Sequence, residues 1–237
     1  MNWEKFKDQF HESWHEKIRP FIESEECDKI YAHLKKEAGR GKKIAPQSAN
    51  VFRAFKETPL TNLKVVMIGM CPYHTAKNGI PVADGLLMGC SVTEQLQPSL
   101  EKFYRGVEIE LYRGLNLNAV NGPDVSYLAN QGVLMLNAAL TTEINKAGSH
   151  ITLWEPFMKH FFECIETEGA PIIFLGKDAA KYKKLVGPFK WSFVTTHPAS
   201  AAYKQCDWDT EGVFGKVNKI LKENNNYSIN WMEDIPF

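Results

Sequence analysis

Residues 65–74 read VVMIGMCPYH, four apolar residues followed at once by a glycine and then by a cysteine, a tyrosine and a histidine. A short apolar run with such boundaries is typical of a fully buried β-strand. In open α/β sheets, ligands bind beyond the carboxyl ends of the strands. The side chains of Cys71, Tyr73 and His74 are therefore the first candidates for chemistry.

Three further apolar runs predict strands of the same sheet, and segments with helical spacing lie between them. Strands that alternate with helices argue for a parallel sheet covered on both faces. We therefore expect an α/β fold with a central, mostly parallel four-stranded sheet flanked by helices on both faces. No linker divides the chain, so residues 1–237 are expected to form a single domain. The further strands are 133–136, 171–175 and 191–194, and the helical segments include 99–113, 154–168, 177–185 and 211–223.

The first forty residues carry a stripe of large apolar side chains at intervals of three or four residues. Trp3, Phe6, Phe10 and Trp14 begin this stripe, and it continues from Ile18. The spacing predicts helix, and we assign these side chains to the core.

The segments after the other three strands also carry polar groups. Asn137 follows the second strand, Gly176 and Lys177 follow the third, and His197 and Ser200 follow the fourth. Because the carboxyl ends of parallel strands meet at one edge of a sheet, we expect these groups to converge with the first three candidates.

The whole chain is neutral, with 28 basic and 28 acidic residues. Bulk charge therefore does not favour a nucleic-acid partner, and any DNA-binding face has to be a local patch. The five cysteines form no CxxC pair, and the histidines do not complete a zinc spacing. This pattern predicts reduced thiols and no metal site.

The amino-terminal segment is charged from its start, and no apolar run approaches the roughly 20 residues that span a membrane. We therefore expect no membrane partner. The expected location is intracellular and cytoplasmic, in the host cell if the source is a virus. We also expect a monomer.

Residues 69–74, GMCPYH, resemble the water-activating motif Gly-Gln-Asp-Pro-Tyr-His of the uracil-DNA glycosylase family. Residues 132–141, GVLMLNAALT, are similar to the uracil-reading strand of that family. Other blocks follow in the family's order, and the similarity extends over roughly residues 1–222. These blocks are 52–60, 85–100, Ser149-His150, Trp154-Glu155 and His197-Pro198.

The resemblance implies a DNA glycosylase that flips uracil, or a related pyrimidine, out of DNA. It would hydrolyse the N-glycosidic bond and so initiate base-excision repair. The implied partner is uracil-containing DNA, single- or double-stranded, and a proteinaceous glycosylase inhibitor is a second candidate partner. No metal or organic cofactor is implied.

The resemblance also implies roles for residues that contact the base. The Asn137 amide would pair with the O4 and N3–H edge of uracil and reject cytosine, which presents the reversed pattern. Tyr73 would pack against C5 and exclude thymine, while His197 would donate a hydrogen bond to O2 as charge builds there. Met70 and Met88 complete the expected base-binding set.

Further residues are expected to contact the DNA backbone or the helix. Two of them, Ser99 and Ser200, are equally well explained as helix caps or turn residues. His74 is expected to contact phosphate or to support its neighbours rather than to react. The complete expected set is His74, Ser99, Gly176, Lys177, Ser200, Ala201 and Tyr203.

The sequence departs from the family first at Cys71, which takes the place of the catalytic aspartate. We expect it to hold or orient the water, yet a thiol with an ordinary pKa of about 8.5 is mostly neutral at pH 7. A pKa lowered beside His74 would restore negative charge. Asp84, in an adjacent insertion, is a second candidate replacement.

The second departure concerns the phenylalanine that stacks on the base in the family. The run of residues 85–92 is two residues longer here, so either Met88 or Cys90 takes that place. A methionine would still contact a base face through its polarizable sulfur. We therefore expect an altered pocket.

The third departure lies in the loop after His197. The family's leucine wedge aligns with Ala201, which is too small to fill the gap left by a flipped base. Tyr203 or Trp208 is the candidate plug, because an aromatic ring suits a base-sized gap. Residues 75–82 look like an insertion near the same loop.

The sequence is compatible with two functions. The first is a glycosylase for uracil in DNA, with Cys71 and His197 as its catalytic residues. The alternative is a catalytically weak relative that binds uracil-containing DNA or a protein partner without efficient excision. The three departures favour the alternative, whereas retention of Asn137, Tyr73 and His197 favours the enzyme.

Overall fold

The protein is described by a computed structural model over residues 1–113, 121–166, 168–187 and 191–233. Strands alternate with helices along most of the chain, as the sequence predicted. The strands are β1 (Ile44–Ala45), β2 (Val65–Gly69), β3 (Ala76–Lys77), β4 (Ile80–Pro81), β5 (Val133–Asn137), β6 (Thr142–Glu143), β7 (Ile172–Leu175) and β8 (Ser192–Thr195). The helices are α1 (His15–Ile22), α2 (Glu25–Gly39), α3 (Arg53–Glu57), α4 (Pro98–Tyr112), α5 (Ser126–Asn130), α6 (Glu155–Cys164), α7 (Lys177–Ala180), α8 (Pro198–Lys204) and α9 (Val213–Asn225). Short 3₁₀ turns cover Trp3–Lys5, Lys7–Gln9, Glu12–Trp14, Ser48–Asn50, Leu60–Asn62, Ser91–Thr93 and Lys181–Leu185.

The four longer strands form one sheet in the order β5-β2-β7-β8, and every neighbouring pair is parallel. Helices pack around it, so the predicted fold class is confirmed. Gly69 pairs with Asn137 where β2 and β5 end, and Leu175 pairs with Thr195 where β7 and β8 end. The chain places β5 on one side of β2 and β7 on the other. Open α/β sheets bind ligands in the crevice beside such a reversal of strand order.

The apolar runs that predicted strands are the buried centre of the sheet. Every residue of β2, β5 and β7 is buried, because neighbours cover both faces of these strands. The edge strand β8 is only partly covered, and Trp191, expected as its first residue, is 52% exposed and precedes it.

The amino-terminal stripe is part of the core, but the chain there is less helical than its spacing suggests. Trp3, Phe10 and Trp14 are buried, yet the first fourteen residues form short 3₁₀ turns. Phe10 and His11 adopt extended backbone angles, which interrupt any helix before α1 begins at His15.

A single connected cluster of buried apolar side chains extends from Trp3 to Met232 and includes the central strands. The single-domain expectation agrees with this cluster and stays a prediction. Within the described ranges, no helix is long and apolar enough to cross a bilayer.

The insertion at residues 75–82 is a small β-hairpin made of β3 and β4. Its turn residues Asn78 and Gly79 both have positive φ, 52° and 81°. Asn-Gly favours such a two-residue hairpin turn, because both residues tolerate the left-handed region. The backbone amide of Val82 donates to the Thr75 carbonyl oxygen at 3.0 Å and closes the base of the hairpin.

Candidate active site

A cavity of about 550 Å³ lies beside the carboxyl ends of β2, β7 and β8. The segments after these strands contribute to its wall, together with the start of α4 and part of α8. The structure therefore brings together most of the residues that the sequence singled out. Those that line the cavity are Met70, Cys71, Tyr73, His74, Met88, Ser99, Gly176, Lys177, His197 and Tyr203. Asn137, Ser200 and Ala201 do not line it.

The end of β2 brings two polar atoms to the same small space. A Cβ built on Gly69 would lie 3.4 Å from Asn137 Oδ1 and 3.6 Å from His197 Nε2. It would also lie only 2.3 Å from Leu87 Cδ1, so a side chain at position 69 would clash. Asn137 is 3% exposed, and its Oδ1 has no hydrogen-bond partner. A buried acceptor without a partner suits a ligand that carries an N–H group.

His197 is held in one orientation by the start of α8. Its Nδ1 accepts a hydrogen bond from the backbone N–H of Ala199 at 3.1 Å. In the neutral ring, the proton then sits on Nε2, the atom near Gly69. Burial lowers the pKa of His197 to about 4, so the ring is a neutral donor at pH 7.

Tyr73 is fixed by Ser99, the second residue of α4. Their hydroxyl oxygens lie 2.7 Å apart, and burial raises the pKa of the tyrosine well above its usual value. Ser99 is 5% exposed. Its hydroxyl therefore positions the tyrosine ring at the cavity wall, a role that the sequence did not suggest.

The Cys71 thiol is neutral in this setting. Burial raises the pKa of the thiol, and the negative charge of the Asp178 carboxylate raises it further. A hydrogen bond of 3.2 Å from the Gly148 N–H to Sγ acts in the opposite direction and lowers the pKa. The expectation of a lowered pKa beside His74 is therefore wrong. The contact with Gly148 was missed, because no sequence motif connects the two residues.

Asp84 does not replace the missing aspartate. Its carboxylate is fully buried, pairs with Arg53 Nη1 at 2.9 Å, and accepts hydrogen bonds from the backbone N–H groups of Leu86 and Ser91. It forms no part of the cavity wall. Among the described residues of that wall, Asp178 alone carries a carboxylate, and Lys181 Nζ lies 3.1 Å from it.

Met88 rather than Cys90 faces the cavity. Met88 lines the wall and has a positive φ of 60°. The Cys90 thiol is fully buried and points to the Pro123 carbonyl oxygen at 3.6 Å. Of the two candidates, Met88 is the one that reaches the cavity, and its contact with a base stays a prediction.

The loop after His197 forms α8, and its side chains point in different directions. Ala201 is 5% exposed and Trp208 is 3% exposed, so both side chains are buried here, which does not support a plug or a DNA contact at either position. Tyr203 is 85% exposed at the rim of the cavity. Ser200 donates its hydroxyl hydrogen to the His197 carbonyl oxygen at 2.7 Å and does not line the cavity.

Three remaining candidates, His74, Gly176 and Lys177, line the cavity and differ in whether their polar groups already have partners. His74 Nδ1 is buried without a hydrogen-bond partner and is available to a ligand. Gly176 has a φ of 84°, and its N–H donates to the Thr195 carbonyl oxygen at 2.8 Å. The Gly176 N–H therefore already has a partner within the protein, and the expected contact of Gly176 with the DNA backbone stays a prediction. The exposed side chain of Lys177 remains free to reach DNA.

This arrangement can be compared with known proteins. The family model of the Uracil DNA glycosylase superfamily matches residues 55–222. The chain belongs to the uracil-DNA glycosylase superfamily. Residues 69–74 and 132–141, which carried the resemblance, fall within the matched range.

Curated members of the uracil-DNA glycosylase superfamily are similar over nearly the whole chain. A uracil-DNA glycosylase of Pseudomonas aeruginosa (strain UCBPP-PA14) is 34% identical over 224 residues, 92% of this chain and 93% of that protein. Uracil-DNA glycosylase 2 of Listeria monocytogenes is 32% identical over 236 residues, 96% of this chain and 94% of that protein.

Solved structures show the same fold. Mimivirus uracil-DNA glycosylase has a TM-score of 0.81 at 22% identity, covering 95% of this chain and 88% of that chain. A mimivirus UNG variant in complex with UGI has a TM-score of 0.82 at 21% identity, covering 98% and 91%. Nothing in these comparisons favours a binding protein without excision.

Proposed function

We propose that the protein excises uracil from DNA by hydrolysing the N-glycosidic bond, as a repair glycosylase of this superfamily. The observation that carries this proposal is the convergence of Asn137 Oδ1 and His197 Nε2 beside Gly69. One atom is an unpartnered acceptor and the other belongs to a neutral ring that donates from Nε2. Uracil offers a matching N–H donor and a matching carbonyl acceptor.

Base recognition is assigned to Asn137 and Tyr73. The Asn137 amide accepts from N3–H and donates to O4, and cytosine would leave these groups unpaired. The Tyr73 ring, held by Ser99, would meet the methyl group of thymine. Met88 and Met70 lie in the same wall and supply polarizable sulfur contacts.

Chemistry is assigned to His197 and Cys71. Negative charge develops on uracil O2 as the glycosidic bond breaks, and a preorganised Nε2–H donor stabilises it. The neutral Cys71 thiol orients the water but supplies no negative charge. The reaction therefore depends more on His197 than it would if position 71 carried an aspartate.

DNA contacts are assigned to the rim of the cavity. Tyr203 is placed to fill the gap left by the flipped base, because an aromatic ring stacks on any neighbouring base. Lys177 is placed to meet a phosphate, and His74 Nδ1 is available to a phosphate or to water. A proteinaceous inhibitor like the UGI bound to mimivirus UNG is a second proposed partner.

The test is excision of uracil from a labelled oligonucleotide that carries one uracil, followed by alkaline cleavage of abasic sites. We expect strand scission by the purified protein and its loss in the double variant His197→Ala, Asn137→Ala. The matched control is His11→Ala, Asn62→Ala, which changes the same residue types outside the cavity and should retain activity.

Two results would overturn the proposal. One is the absence of scission when protein exceeds DNA. The other is a wild-type rate in the double variant His197→Ala, Asn137→Ala, which would place the activity elsewhere or in a contaminant.

A further inference from the structure

A second cluster of chemically capable side chains lies apart from the cavity. His33 and Glu37 are one turn apart on the same face of α2, and His150 follows β6. One ligand atom from each of the three residues lies within 4.8 Å of the others. None of the three lines the cavity. We propose that His33, Glu37 and His150 bind a divalent transition-metal ion of the Zn²⁺ class, independently of the proposed function.

The spacing of the ligand atoms suits such an ion. Zn²⁺ takes nitrogen and oxygen ligands at about 2.0–2.2 Å, so neighbouring ligands of a tetrahedral site are roughly 3.3 Å apart. His150 Nε2 lies 2.8 Å from Glu37 Oε2, and His33 Nε2 lies 3.7 Å from Glu37 Oε1. The two histidines approach different oxygens of the Glu37 carboxylate, so that group either rotates to offer one oxygen to the ion or binds it through both. With one ligand atom from each residue, all three atoms already lie within 4.8 Å of one another.

The cluster combines a rigid interior with an open side. His150 is 1% exposed and Glu37 is 9% exposed, whereas half of the His33 side chain is exposed. An ion can therefore enter from solvent past His33. Three protein ligands leave the fourth position of a tetrahedral ion to water.

His150 has a hydrogen-bond partner on its second ring nitrogen, as metal-binding histidines usually do. Its Nδ1 lies 2.8 Å from Thr141 Oγ1, and that hydroxyl oxygen accepts a hydrogen bond from Trp154 Nε1 at 2.7 Å. A partner on the second ring nitrogen fixes the ring and directs the first nitrogen at the ion. Here that atom is Nε2, which donates its proton to Glu37 Oε2 at 2.8 Å when no ion is bound. An ion at Nε2 displaces this proton, and the ring then donates from Nδ1–H to Thr141 Oγ1.

Lys42 is the group that competes with the ion. Its Nζ lies 2.5 Å from Glu37 Oε1 and 3.0 Å from Glu143 Oε2. The ammonium group therefore neutralises Glu37 when no ion is bound, and Glu143 remains its partner when an ion takes Glu37. Removing Lys42 should strengthen metal binding, whereas a purely structural hydrogen-bond network gains no metal affinity from that change.

The experiment is a Zn²⁺ titration of the full chain, freed of metal by dialysis, in competition with a chromogenic chelator. We expect one ion per chain, with His33→Ala weakening the affinity by about 100-fold, because even partners of metal ligands are worth about 10- to 100-fold. Lys42→Met should bind more tightly than the unchanged protein. Circular dichroism of both variants checks that they remain folded.

Two controls separate this site from other donors. His11→Ala removes a histidine outside the cluster, and Cys206→Ser removes an exposed thiol; neither should change the affinity. Bound Co²⁺ should show no thiolate-to-metal charge-transfer band. The proposal is overturned by the lack of stoichiometric binding, by loss of binding in Cys206→Ser, or by an affinity in Lys42→Met that is equal or weaker.

Discussion

The thiol of Cys71 changes how the reaction must be stabilised. Its sulfur accepts the Gly148 N–H, burial raises its pKa, and the nearby carboxylate of Asp178 disfavours a second negative charge. The positive charge that develops on the sugar therefore meets no anion at this position. The protein keeps the residues proposed to read the base but lacks the electrostatic contribution of an aspartate.

Restoring the carboxylate should accelerate excision. We predict that Cys71→Asp raises the single-turnover rate by about 10²–10³-fold, because removal of one preorganised group from such a site lowers the rate by about that factor. The Gly148 N–H is already placed to bind the new carboxylate. Cys71→Asn is the control of similar shape without charge, and equal rates in the two variants would contradict an electrostatic role.

His197 predicts an unusual pH profile. Its pKa of about 4, lowered by burial, leaves the ring neutral throughout the physiological range. We therefore expect the single-turnover rate to show no titration of this group between about pH 9 and pH 5, since an ordinary histidine titrates near 6.5. A fall in rate with a midpoint near that ordinary value, absent in His197→Gln, would contradict the assignment.

The same pKa affects stability in a defined direction. As the pH falls below the ordinary value of about 6.5, the unfolded chain binds a proton that the folded protein does not bind until about pH 4. The free energy of unfolding therefore decreases across that window. Above it, His197 contributes no pH dependence.

At the scale of elements, α8 explains why two neighbouring positions have opposite roles. Ala201 and Tyr203 are two residues apart, about 200° around a helix, so they point to opposite sides. Ala201 packs inward, while Tyr203 stands in solvent at the cavity rim. The comparison with the family motif aligns the leucine wedge with Ala201, whose side chain points inward.

Tyr203→Ala tests the proposed plug. Stacking of a base on an aromatic ring is worth about 1–3 kcal/mol, so excision from double-stranded DNA should fall at least about fivefold. Flipping a base out of single-stranded DNA leaves no gap in a helix, so the variant should excise uracil from that substrate at nearly the rate of the unchanged protein. The measurement is the ratio of rates on the two substrates, and Tyr31→Ala, an exposed tyrosine on α2, is the matched control. An unchanged ratio would exclude the plug.

At the scale of the molecule, one connected core predicts one cooperative unfolding transition. Asp84 tests this, because its carboxylate is fully buried and pairs with Arg53. Breaking a buried ion pair costs about 3–5 kcal/mol, so Asp84→Ala should lower the free energy of unfolding by that amount. Urea denaturation should show a lower midpoint with an unchanged slope.

Asp84→Asn keeps part of the hydrogen bonding and serves as the milder control. Folded protein of either variant should keep its rate of excision, because Asp84 lies outside the cavity wall. Loss of activity in fully folded Asp84→Asn would return Asp84 to the list of catalytic candidates.

The sheet and most of the cavity could be predicted because they follow from local patterns. Buried strands show as apolar runs, and parallel strands bring the segments after them to one edge. The choice between Met88 and Cys90 could not be predicted, since it depends on the path of a loop with two extra residues. The contacts of Cys71 with Gly148 and of Tyr73 with Ser99 join distant segments and leave no local signal. The cluster around Glu37 was missed for the same reason.

The unpartnered oxygen of Asn137 has a consequence for the order in which the two products are released. A buried acceptor of this kind suits an N–H donor, and uracil offers one whether or not it is still attached to DNA. We therefore expect the freed base to keep the proposed contacts with Asn137 and His197 after the bond is broken. The abasic strand has lost its base and retains only contacts at the rim, so we expect the strand to dissociate first and the free base to act as a competitive product inhibitor.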